Sequence, residues 1–162
     1  MIGSAGSEEK VRRLLDECGF DAAFNDKTGP VLDQLNRVAP DGIDVYFDNV
    51  GGESLEAALS ALRAHGRIIA CGGISSYNDE KPKPGPTNLF NMTIKRLTMK
   101  GLIVNDWLNR QGEFENEVSD HFRAGRLKSL ETVVDGIDQA VAAFIGLFDG
   151  KNVGKMVVKL AM

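Results

Sequence analysis

Two strand-like segments, each running directly into glycines, constrain this chain more than anything else in it. Ile43-Asp44-Val45-Tyr46-Phe47-Asp48-Asn49-Val50 leads into Gly51-Gly52, and Arg67-Ile68-Ile69-Ala70-Cys71 leads into Gly72-Gly73-Ile74-Ser75-Ser76-Tyr77. Each reads as a buried strand whose carboxyl end opens into a turn. In an open α/β sheet, such strand ends and the neighbouring helix starts form a crevice lined with backbone donors, where ligands bind. Two such ends in one short chain predict a nucleotide site.

The rest of the chain alternates in the same way. Residues 2–7 are small and read as the tail of a strand and the turn after it, with Ser7 as a helix N-cap. Glu8 and Glu9 suit the positive end of a helix dipole, and Val11, Leu14, Leu15 and Cys18 recur at helical spacing until Gly19. A strand over 21–24 and a turn over 25–30 follow. A helix marked by Val31, Leu32, Leu35 and Val38 then runs to Pro40-Asp41-Gly42. Leu55, Ala58, Leu59 and Leu62 predict a helix closed by Gly66, which joins the two opening strands. Beyond them the pattern predicts a proline-bearing loop over 78–86, a helix over about 88–96 and a strand over 98–104. Helices over 113–123 and 137–148 and a strand over 156–160 complete it. Strand and helix alternating at short intervals predict an α/β fold with a doubly wound parallel sheet and right-handed crossovers.

Composition narrows the partners. With 162 residues, 43% hydrophobic and 26% charged, the chain has the balance of one soluble globular domain. A net charge of -4 and a pI near 5.2 give no whole-chain field toward nucleic acid or anionic lipid, so neither is expected as a partner. No apolar stretch reaches membrane-spanning length, and the amino terminus lacks a basic-then-apolar signal pattern. Cys18 and Cys71 are the only cysteines and form no Cys-x-x-Cys pair, so no metal site or disulfide is expected, and a reducing cytoplasm fits.

The turn Gly3-Ser4-Ala5-Gly6-Ser7, with Lys10, Arg12 and Arg13 just beyond it, is small, neutral and followed by cations. After a strand of a nucleotide fold, a carboxylate at this place selects the ribose 2'-hydroxyl of NAD, whereas small residues with a cation leave room for the 2'-phosphate of NADP. The residues favour NADP; a solvated helix face explains the same cations. At the first opening strand, the amide of Asn49 can donate and accept toward a carboxamide or a ribose. Gly51 and Gly52 are explained by a tight strand-to-helix turn alone. Cys71 reads as a small packed residue, since no cation or histidine adjoins it in sequence. Tyr77 and Lys81 have the Tyr-x-x-x-Lys spacing of a helical proton-transfer pair, but the prolines that follow exclude the helix it needs. His65 and His121 read as surface residues, and Asp48 and Glu53 do not make a convincing acid pair.

Seven strings in this order, GSEEK, FDAAFNDKTG, PDGIDVYFDNVGGE, GRIIACGGISSYN, PGP, GLIV and NVGKMVVK, carry a resemblance that covers essentially the whole chain. It resembles the zinc-independent medium-chain dehydrogenases/reductases, specifically the prostaglandin reductases and the plant alkenal double-bond reductases. The resemblance implies a Rossmann-like cofactor domain over 1–134, with 135–162 as a helix and strand returning to the catalytic lobe. It implies NADP(H) as cofactor and reduction of the carbon-carbon double bond of an α,β-unsaturated ketone or aldehyde. It further implies that Lys10 contacts the 2'-phosphate and that Asn49 lies near the ribose and nicotinamide. Cys71, Gly72, Gly73, Ile74, Ser75, Ser76 and Tyr77 would run beside the cofactor, Leu102, Ile103 and Val104 would border the nicotinamide, and Asn152 would close over it. Tyr77 would steady or protonate the enolate.

Two departures from the family's pattern are visible. Where many relatives have a tyrosine against the 2'-phosphate this chain has Asp26, whose carboxylate would repel phosphate and weaken the NADP preference. The family's amino-terminal substrate domain is absent, as are the first strand of its cofactor fold and that strand's glycine-rich turn, so the sheet is expected to be incomplete. In the strand order 3-2-1-4-5-6 the missing strand is the central one. The remaining strands would close up, pair with another copy as a homodimer, or need the rest of the enzyme. The readings from other classes are a non-catalytic nucleotide-binding or assembly module, and a quinone reductase of the same superfamily.

Overall fold

The computed structural model describes residues 1–160; residues 161 and 162, the end of the expected carboxyl-terminal segment, lie outside the described residues. Strand β1 (Ile2–Ala5), helix α1 (Glu8–Asp16), β2 (Ala22–Asn25), α2 (Val31–Val38), β3 (Ile43–Asp48), α3 (Gly52–Ala61) and β4 (Leu62–Ala70) alternate as expected. They are followed by α4 (Asn91–Ile94), β5 (Thr98–Gly101), α5 (Gln111–Arg123), β6 (Glu131–Asp135), α6 (Ala140–Phe148) and β7 (Lys155–Lys159). Every strand pair is parallel. Ser7 caps α1, its side chain accepting from Lys10 N at 3.3 Å.

The sheet is divided among the described residues. β1 pairs only with β2, β3-β4-β5 form a separate sheet, and β6 pairs with β7. The strands have therefore not closed up, and one edge of β1 and one edge of β3 carry unpaired backbone groups. The two parts are joined by helices instead. Leu35 of α2 and Ala39 just after it pack on Ala61 of α3, with Ile2 and Phe24 from one sheet and Ile43 from the other against the same cluster. Glu53 adds a polar link, its Oε1 accepting from Val31 N at 3.0 Å. A second cluster of Leu59, Leu62, Ile68 and Leu97 seats α3 on the three-stranded sheet, with Tyr46 and Leu55 packed against it. The opposite side of β3 is uncovered, leaving Val45 43% and Phe47 51% exposed.

Four elements differ from the sequence pattern, each for a local reason. β5 stops at Gly101, and residues 104–110 form a 3-10 turn rather than strand. The ladder ends where β4 ends, with Ala70 opposite Gly101, so Ile103 keeps an extended backbone (φ -123, ψ 128) but has no strand beside it to pair with among the described residues. The helix expected over 88–96 shrinks to α4, because Asn88 is tied to α3 through Glu56 O and Ser60 Oγ, both at 2.7 Å, and Arg96 has φ 52. Leu62 leaves α3 and starts β4, whose register against β3 is irregular between Ile43 and Val45. β6 is an added strand: Thr132-Val133-Val134 is a β-branched run ahead of Gly136, and β7 supplies its partner.

Candidate functional site

β3 and β4 finish side by side, with Asp48 opposite Ala70. Beyond that pair the two strand-end turns are joined main chain to main chain. Asp48 O accepts from Cys71 N at 2.8 Å and Gly72 N at 3.0 Å, Asn49 O accepts from Ile74 N at 3.2 Å, and Val50 O accepts from Ser75 N at 3.1 Å. The Asp48 side chain, in a residue only 2% exposed, holds the first turn from beneath. Its Oδ1 accepts from Val50 N at 2.9 Å, Gly51 N at 2.8 Å and the Tyr46 hydroxyl at 2.9 Å. The close approach requires glycine at Gly52, where φ is 52 and a Cβ would lie 2.9 Å from Ser75 Oγ.

The second turn winds through a short 3-10 segment, Ile74–Ser76, and ends at Tyr77. Gly73 N donates to Tyr77 Oη at 3.3 Å, and Ser76 Oγ donates to Gly73 O at 2.9 Å. Ser76 N and Tyr77 N donate to Gly73 O and Ile74 O. Every main-chain N–H from Cys71 to Tyr77 thus has an acceptor inside the protein. The expected crevice of backbone donors is not what the second strand end offers, because joining the turns uses those amides. Side chains remain. Asn49 is exposed and its amide makes no hydrogen bond among the described residues, and Tyr77 is 64% exposed. Leu102 N donates to Ala70 O at 2.9 Å, which brings Leu102, Ile103 and Val104 to the same carboxyl edge. The structure therefore gathers Asn49, residues 71–77 and residues 102–104 along one edge of the three-stranded sheet. Lys81 lies outside any helix, as the prolines require.

Lys10 and Asn152 form a second group. They line an open cleft of about 400 Å³ at the end of β1 with Ser4, Arg13, Lys128 and Leu130. Lys10 Nζ donates to Gly150 O at 2.7 Å, so the end of α6 holds its ammonium at the rim. Asn152 Nδ2 donates to Gly154 O at 2.6 Å. Asp26 follows β2 directly, and its Oδ1 is buried without a hydrogen-bond partner among the described residues, 4.0 Å from Lys27 Nζ. A larger cleft of about 510 Å³ starts at Val104 and runs along α5, walled by Trp107, Leu108 and Phe114. Cations at one strand end and an amide and a phenol at the others suit the two ends of a dinucleotide. No group of three or more His, Cys, Asp or Glu is placed to hold a metal ion among the described residues.

Sequence reasoning passed over Asp48, weighing it only as an acid. The signal was present, since aspartate just before a turn commonly accepts main-chain N–H groups two and three residues on. It also passed over Lys128 and Leu130, which reach the Lys10 cleft only because β6 pairs with β7.

A family model described as zinc-binding dehydrogenase matches residues 1–123. The chain belongs to this family. It is 43% identical over 162 residues to the 2-alkenal reductase (NADP(+)-dependent) of Nicotiana tabacum, covering 99% of this chain and 47% of the relative. It is 42% identical over 164 residues to prostaglandin reductase 1 of Mus musculus, covering 98% of this chain and 49% of the relative. Its fold matches that of CurA from Vibrio vulnificus in complex with NADPH, with a TM-score of 0.92 and 39% identity over 99% of this chain and 49% of that one. The resemblance to the prostaglandin and alkenal reductases is borne out over their carboxyl-terminal half, and the Rossmann-like fold with it. The chain spans about half the length of the curated relatives it matches.

Proposed function

We propose that this chain is the cofactor-binding part of an NADPH-dependent reductase that acts on the carbon-carbon double bond of α,β-unsaturated ketones or aldehydes. The observation that carries the reading is the joined pair of strand-end turns, which presents Asn49 and Tyr77 from one rigid edge. Its fold matches that of CurA, solved with NADPH, and relatives of comparable identity include an NADP(+)-dependent 2-alkenal reductase and an NADP-dependent oxidoreductase.

NADPH, when bound, supplies the hydride. Lys10 would pair with the 2'-phosphate in the cleft it shares with Asn152. Asn152 would therefore close over that end and not over the nicotinamide as expected, and Asn49 would orient the ribose and nicotinamide end. Leu102, Ile103 and Val104 exclude water from the reacting face. The Tyr77 hydroxyl accepts from Gly73 N, which leaves its own proton free for an acceptor outside the protein. Directed at the substrate carbonyl, that proton stabilises the charge developing on oxygen, where preorganised donors are most effective. The apolar cleft beside Val104 suits the hydrocarbon part of such a substrate. By the same reading residues 135–162 belong to the catalytic lobe, and the protein is a cytoplasmic homodimer. No described helix is long and apolar enough to cross a membrane.

The test is NADPH titration by calorimetry, followed by enone-dependent loss of NADPH absorbance in the full-length protein. Binding and turnover are expected, with Tyr77→Phe lowering kcat about 10²-fold or more while NADPH affinity holds. Absence of heat at millimolar cofactor would overturn the binding role, and unaltered turnover in the variant would remove Tyr77 from proton transfer.

A further inference from the structure

We propose that Asp48 is the positioning residue of the site, locking the two strand-end turns into one unit and thereby fixing both Asn49 and the 71–77 segment. Three observations converge on it. Its side chain is buried, and a single carboxylate oxygen collects three donors, two of them the consecutive amides of Val50 and Gly51. Its own carbonyl receives Cys71 N and Gly72 N from the other turn. The next two carbonyls, of Asn49 and Val50, receive Ile74 N and Ser75 N, so their direction depends on the turn that the carboxylate shapes.

The chemistry of the arrangement is that of a hinge held shut. Residues 49–51 turn sharply between a strand and a helix, and Gly51 and Gly52 both have positive φ, so the segment has little intrinsic preference for its present path. A charge-assisted acceptor for two successive N–H groups supplies that preference. The peptide planes it fixes are the ones whose carbonyls point at the second turn. Asn49 lies between the two clamps, so its main chain, and with it the direction of its Cα–Cβ bond, is fixed before any ligand arrives. Preorganisation of that kind removes ordering cost from binding. Asp48 touches neither solvent-facing group itself and acts entirely through the main chain.

The functional arm of this inference rests on reading Asn49 and residues 71–77 as facing the cofactor; the structural arm does not. Amide hydrogen exchange of the free full-length protein tests the structural arm. In Asp48→Ala the amides of Val50 and Gly51 lose their acceptor, and those of Cys71, Gly72, Ile74 and Ser75 keep theirs. Exchange at least tenfold faster at all six, measured relative to Ile68 in the centre of the sheet, is the expected result. Acceleration confined to Val50 and Gly51, or none, would overturn the coupling. Should Asp48→Ala fail to fold, Asp48→Asn retains a neutral acceptor and decides by the same pattern with a smaller change, about threefold. The second measurement is NADPH binding and steady-state kinetics. Asp48→Ala is expected to raise the NADPH KM at least fivefold with a smaller change in kcat, with Asp48→Asn recovering most of the loss. If the wild type binds no NADPH the cofactor reading fails, and the exchange pattern still decides whether Asp48 couples the turns.

Discussion

Tyr46 donates to Asp48 at 2.9 Å from a partly buried position against α3. Burial, and after it the neighbouring carboxylate, raises the pKa of the phenol well above its ordinary value. The folded state therefore favours the neutral phenol. That contribution is complete below the unfolded pKa and is lost as pH rises above it toward the folded one. In an alkaline titration followed by tyrosinate absorbance, wild type and Tyr46→Phe are expected to give the same curve until the protein unfolds. A difference between them with a midpoint near the ordinary phenol value would refute the argument. Asp26 makes a second prediction at this scale. Its buried, unpartnered oxygen lies just past the Lys27 ammonium, beside the turn at Gly6. On the cofactor reading, Asp26→Asn removes a repulsion from the 2'-phosphate worth about 1 kcal/mol, so NADPH should bind about fivefold tighter. NADH affinity, measured in the same calorimeter, should not move; equal gains for both would sink the assignment.

The elements show how much of the fold the sequence patterns carried. α1 was legible to its cap, because Ser7, the two glutamates after it and the apolar spacing of Val11 and Leu14 agree with one another. β3 and β4 were legible as strands running into glycines. β6 was not, because a short β-branched run becomes a strand only when a partner lies beside it, and β7 comes some twenty residues later. The β6–β7 pair depends on Gly154, which has φ 69 and sits against the Leu130 carbonyl, where a Cβ would collide with backbone. Lys155 N donates to that same carbonyl at 2.8 Å. Gly154→Ala should therefore break the β6–β7 register and lose amide protection there, while β4 amides keep theirs. Exchange rates unchanged at Thr132 and Val157 would count against it.

At the scale of the molecule, the open edges of β1 and β3 are the governing feature. Among the described residues one edge of β3 is unpaired and lies beside exposed Val45 and Phe47, and edges of this kind recruit other strands. The chain is expected to associate as its concentration rises, and Val45→Lys should reduce that association by placing charge on the edge strand. Sedimentation velocity across a concentration series checks this, and a wild-type chain that stays monomeric throughout would overturn it.

The candidate site was legible in kind and not in construction. Asn49 and Tyr77 could be singled out from residue type and position at strand ends, since those depend on short-range pattern alone. That Tyr77 folds back onto Gly73, that the amides from 71 to 77 are all occupied, and that Lys10 and Asn152 share a cleft depended on distant segments meeting. By itself the sequence determined the alternation of strands and helices, because hydrophobic periodicity and capping act over a few residues. Only the tertiary structure decided that the sheet stays divided and that the buried carboxylate of Asp48 joins its two turns. Hydrogen-bond pairing between strands is set by which edges meet in space, and no local pattern encodes that.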